Sequence, residues 1–147
     1  MSVGEPWSAG SVTLCKKRQS EQVTLDSVRP VTVRGQVRLD GIGARTTHYA
    51  KPNGRSDPDT HLVGTMPGRP ARLHPPEGFR VETTCPNSRA PVGEIVVTLT
   101  KVGPEGGSLD DLRILYTVDG EKHELTLGFH FGLCGSGRFA VPCTTGR

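Results

Sequence analysis

The side chains able to do chemistry in this chain are five histidines, four cysteines and fifteen acidic residues. What each set can offer depends on its spacing. His123 and His130 fall on one predicted strand at an odd separation, which turns them to opposite faces and makes them poor joint ligands. His48, His61 and His74 lie in a Pro-rich stretch and match no standard metal spacing. His130 and Cys134 offer part of a blue-copper set, but that centre needs a second His and usually an axial Met. The only methionines are Met1 and Met66.

Asp57 and Asp59, with Asp110 and Asp111, could offer carboxylates to calcium. The EF-hand pattern is absent, however, and Pro58 stiffens the first pair. A glycosidase-type acid pair depends on spatial separation, and nothing in the sequence selects two acids from the set. There is no G-x-S-x-G elbow, and Gly135–Gly137 forms a loop tripeptide. The glycines of GPEGG match neither a P-loop nor a dinucleotide fingerprint. The expectation is a chain that is not an enzyme, with no catalytic, metal or cofactor residues to name.

Cysteines and cations leave two further candidates. Cys15, Cys85, Cys134 and Cys143 form neither a C-x-x-C motif nor a zinc ribbon. An even number at wide spacing suits two structural disulfides and an oxidising compartment. Of three possible pairings, the preferred one staples Cys85 to Cys134, both at predicted strand ends, and ties Cys15 to Cys143. The cations after Cys15 would also favour its thiolate, so a reactive thiol is the competing role. Lys16, Lys17, Arg18, Arg34 and Arg38 are the candidate polyanion contact. They lack the interleaved aromatics of single-strand nucleic-acid binders, and a net charge of +3 from mixed charges does not point to nucleic acid.

The elements that must carry these residues read as strands. Leu109–Cys134 is the strongest stretch: two alternating apolar runs flank Asp119-Gly120, the dipeptide suited to a two-residue type I′ hairpin. Ser11–Cys15, Gln22–Val28, Val31–Ile42, Phe79–Cys85 and Val92–Val102 are further strands. Arg29-Pro30 is expected to separate the second from the third, because Pro offers no N–H. Gly35 marks a bulge or a close backbone contact. Residues 1–10 form a flexible lead-in to one domain over 11–143, with a long Pro-rich loop over 46–78. Within that loop Lys51–Thr60 should be a mobile tip and His61–Met66 a docked edge strand.

With 147 residues, Gly and Pro together above a fifth of the chain, and no helical period, the fold expected is all-β. It should be an immunoglobulin-like antiparallel β-sandwich of about seven to eight strands, disulfide-stapled, with an open barrel as the alternative. No apolar run reaches transmembrane length. The opening MSVGEPWSAG has neither the basic region nor the apolar core of a signal peptide. This conflicts with the oxidising compartment that the cysteines suggest, so the chain is expected to be either a mature or truncated portion of a longer precursor or one whose true start lies upstream of Met1.

The phrases SVTLC (Ser11–Cys15), VGTMPG (Val63–Gly68), VETTC (Val81–Cys85), Val97–Leu127 and the LC ending at Cys134 occur in an order that resembles one family. It comprises small extracytoplasmic actinobacterial proteins, secreted or membrane-anchored, of unknown function. The resemblance implies a Cys-containing β-sandwich outside the cytoplasm and supplies no catalytic residues. The function expected is a non-enzymatic interaction or cell-envelope-associated module, monomeric, with an unidentified protein or envelope partner. Its contact surface should lie on the long Pro-rich loop. The alternatives are a secreted hydrolase or metal-dependent enzyme near the His-bearing loops, and a basic polyanion-binding module.

Overall fold

The computed structural model describes residues 1–48, 60–62, 64–85 and 91–136. They form eight strands: β1 (Pro6–Leu14), β2 (Val23–Gly35), β3 (Val37–Thr47), β4 (Thr65–Pro67), β5 (Arg80–Val81), β6 (Val92–Lys101), β7 (Gly107–Val118) and β8 (Glu121–Leu133). There is no helix among the described residues, and so none long and apolar enough to cross a membrane. Two four-stranded antiparallel sheets, ordered β3-β6-β1-β4 and β5-β2-β7-β8, share one core. Alternation supplies that core: Ile95, Val97 and Leu99 from β6 meet Leu112 and Ile114 from β7, with Leu25 and Val28 from β2. The expected all-β sandwich is the fold.

The central hairpin forms as its sequence demands. Asp119 and Gly120 both take positive φ, 48° and 84°, as a type I′ turn requires, and Val118 pairs with Glu121 across it. Gln22 clamps the turn by donating its N–H to Asp119 Oδ1 at 2.9 Å.

Elsewhere the strand limits differ from expectation for definite reasons. The first strand begins at Pro6, inside the expected lead-in. Pro30 does not separate two strands; β2 runs through it to Gly35, and Pro30 pairs with Leu112. β5 covers only Val23 and Thr24, so the other edge of β2 is open at Pro30 and no ladder bond is lost there. The break comes at Gly35, where φ is 76° and a Cβ would stand 2.6 Å from the Gly106 carbonyl. Here the chain crosses to the opposite sheet. The expected strand Val31–Ile42 is therefore split, and Val31 and Val33 stay exposed while Leu39 and Ile42 pack against the core.

The expected disulfide pairing is overturned. Cys15 is bonded to Cys85, with Cα atoms 5.2 Å apart. The end of β1 runs beside the segment after β5: Lys16 bridges to Thr84, and its carbonyl accepts the Cys85 N–H at 2.9 Å. Cys134 follows β8, at the sheet edge opposite β5. Three strand spacings of about 4.8 Å put that edge beyond disulfide reach of Cys85. Cys134 is itself disulfide-bonded, and Cys143 lies outside the described residues.

The Pro-rich loop is largely a third layer. The expected tip lies outside the described residues apart from Thr60. The expected edge strand at His61–Met66 becomes β4, Thr65–Pro67, beside β1. From there the chain crosses the outer face of the first sheet, where the Ser8 hydroxyl donates to the Gly68 carbonyl at 2.7 Å. It reaches the far edge at β3, where His74 and Ala44 exchange backbone bonds. At the layer's centre Glu94 and Arg45, almost fully buried, form an ion pair at 2.9 Å. Glu94 accepts the Leu62 N–H, and Arg45 donates to the Thr60 and Ala71 carbonyls at 3.1 and 3.3 Å. This cover explains why every residue of β6 is buried, on both faces.

Candidate binding groove

The five cations of the proposed polyanion contact do not come together. Lys16, Lys17 and Arg18 occupy the β1–β2 loop, near the Val23 end of β2. Arg34 sits at its other end, and a 13-residue strand spans roughly 40 Å. Arg34 is also committed: with Ser108 and His130 it surrounds the Asp110 carboxylate on the outside of the second sheet. The bonds from His130 and then Arg34 outweigh the partial burial of Asp110 and hold its pKa down at about 2. Asp110 in turn raises the pKa of Arg34. Arg38 pairs with Asp40 at 2.8 Å.

The histidines take up separate contacts, apart from His48 and His61. His123 stacks on Tyr116 with ring centres 5.3 Å apart, and His130 bonds Asp110. His48 accepts the His61 N–H through its carbonyl, and His74 bridges to β3. Asp111 caps a bulge by accepting the Phe129 N–H at 3.3 Å, and Asp57 and Asp59 lie outside the described residues. No three His, Cys, Asp or Glu side chains among the described residues are placed to hold a metal ion.

What the structure does assemble is a groove of about 460 Å³ on the open side of the sandwich. Its walls are the facing edges of β2 and β3, and an arch from Leu73 to Glu77 closes one end. Val28, Leu39 and Ile42 line it as members of the apolar core or its fringe, with Leu73, Pro75 and Pro76 on the arch. Arg29, Arg69, His74 and Glu77 stand exposed around it. The arch sits low because β3 carries glycines beneath it: a Cβ on Gly43 would stand 3.0 Å from Leu73 Cβ.

Electrostatics divide these charges. Burial pushes the Asp40 pKa up, but bonds from Thr100 and Arg38 overcome it, and the carboxylate stays ionised below its usual range. Arg69 donates to the Asp40 carbonyl at 2.8 Å. The Arg29 side chain makes no hydrogen bond or ion pair among the described residues, its backbone being part of the β2–β7 ladder.

None of these lining residues sits in a motif. The usable signals were the Gly41-x-Gly43 spacing in β3, which marks a close backbone approach, and a Pro inside an alternating strand, which marks an edge. Together the observations define a disulfide-bonded antiparallel β-sandwich with a lateral groove. Compared with protein-family models, curated proteins and solved structures, the chain matches none.

Proposed function

We propose that this protein is an extracytoplasmic, non-enzymatic interaction module, associated with the cell envelope or secreted, and that the groove between β2 and β3 is its contact site. The groove carries this reading: apolar side chains packed against the core, Leu39 and Ile42, are left partly accessible between two strand edges and are ringed by charges that do not all neutralise one another. The oxidised Cys15, Cys85 and Cys134 support an oxidising compartment. The resemblance to actinobacterial extracytoplasmic proteins points the same way.

The contact site thus moves from the loop as a whole to the place where its docked part arches over β3. A photo-crosslinker in place of Glu77, at the groove, should give a discrete adduct in an envelope extract of the native host. The same group in place of Leu115, on the second sheet, should not. Equal yields from the two positions, or none from Glu77, would sink the proposal.

A secreted hydrolase or metal-dependent enzyme is the second reading, because Asp40, His74 and Glu77 line the same groove. It stands behind the first because the Asp40 carboxylate is already bonded by Arg38 and Thr100 and is poorly placed to take up a proton.

A further inference from the structure

Resting on the groove as the contact site, we infer that its occupant is an extended peptide that adds as a strand to the open edge of β3 and presents an acidic side chain to Arg29 and Arg69. The edge is already started. Ala44 donates to the His74 carbonyl at 2.8 Å, and His74 donates back at 2.9 Å, so this residue of β3 turns its backbone groups away from β6. Antiparallel alternation gives Ile42 the same outward donor and acceptor. The chain's own arch does not take them up. Pro76 would come opposite Ile42 but has no N–H, and the chain turns off toward β2, where Gly78 donates to the Leu25 carbonyl at 2.8 Å.

The opposite wall does not compete for the strand. Pro30 occupies the middle of the open edge of β2 and has no donor to give. A strand laid along β3 would alternate its side chains, one set reaching Leu39 and Val28 and the other the rim. The rim selects for charge. Asp40 is bonded by Arg38 and also faces Arg69, so Arg29, Arg38 and Arg69 together outnumber Asp40 and Glu77 at the rim by one positive charge. An acidic residue meets that excess; a basic one is repelled.

The test uses a displayed library of random heptapeptides, selected on the wild-type protein and counter-selected on an Arg29→Glu, Arg69→Glu double variant whose substitutions are both exposed. Enriched peptides should contain Asp or Glu among alternating apolar residues. As synthetic peptides they should slow hydrogen exchange at the Ile42 amide at least tenfold, and bind the double variant at least tenfold more weakly. Binding that shifts Leu39 and Leu73 side-chain signals but leaves the Ile42 amide unprotected would overturn strand addition while keeping the groove as a contact site. Peptides that bind elsewhere on the protein, or no enrichment at all, would overturn both.

Discussion

At the residue scale, two ion pairs of the same formal kind do different work. Asp110 lies on an open sheet face, where solvent screens its bonds to His130 and Arg34, so its contribution to stability is modest. Its sign is definite. A carboxylate with a depressed pKa stabilises the fold above its unfolded value near 3.8, and that stability is lost as pH falls through about 2. Asp110→Asn should therefore lower the denaturation midpoint at pH 6 and converge with the wild type near pH 2, followed by circular dichroism. A gap unchanged across that range would refute the linkage. Glu94 is the opposite case, with no exposed surface. Glu94→Ala strands Arg45 and the Leu62 N–H, and should cost about 3–5 kcal/mol in urea unfolding.

At the element scale, the important fact is that the first sheet is covered on both faces. β6 carries Glu94, Thr98 and Thr100 on its outer side, polar residues that ordinarily meet water. The covering chain supplies the Leu62 N–H to Glu94, while Thr98 and Thr100 are satisfied within the sheet by Ser8 of β1 and Asp40 of β3. Close packing there depends on Gly10, where a Cβ would stand 2.4 Å from the Leu62 carbonyl and 2.8 Å from Glu94. Gly10→Ala should lift that layer, costing about 1–3 kcal/mol and raising exchange at the Leu62 amide more than in β7. Uniform destabilisation without local exchange would show that the cover unfolds only with the whole sandwich.

At the scale of the whole molecule, the Cys15–Cys85 bond ties the end of β1, in the first sheet, to the segment after β5, in the second, across 70 residues of chain. In the chain-entropy model such a closure stabilises by about 4 kcal/mol. A Cys15→Ser, Cys85→Ser double variant should lose stability on that order in guanidinium unfolding. Thiol titration of the unreduced wild-type protein should find Cys15, Cys85 and Cys134 unreactive. Reaction at any of them would remove the main support for an oxidising compartment.

Local pattern alone determined the strand-rich fold and the hairpin, because side-chain period and turn chemistry act over a few residues. Asp119-Gly120 sets positive φ wherever it occurs between alternating runs, and β7 and β8 follow from it. The odd spacing of His123 and His130 was equally local, and it placed them on opposite faces of β8 in advance. Only the tertiary structure decided the rest. Whether Pro30 interrupts a strand depends on whether a neighbour needs its N–H, and β5 stops short of it. Which cysteine meets Cys85 depends on sheet order, which the spacing of four cysteines does not encode. The candidate site is the furthest from the sequence of all. Arg29, Ile42, Arg69 and Glu77 belong to three separate stretches of chain and share no motif. They meet because the Pro-rich connection spends its polar backbone on the buried Glu94–Arg45 pair and then arches over the glycines of β3.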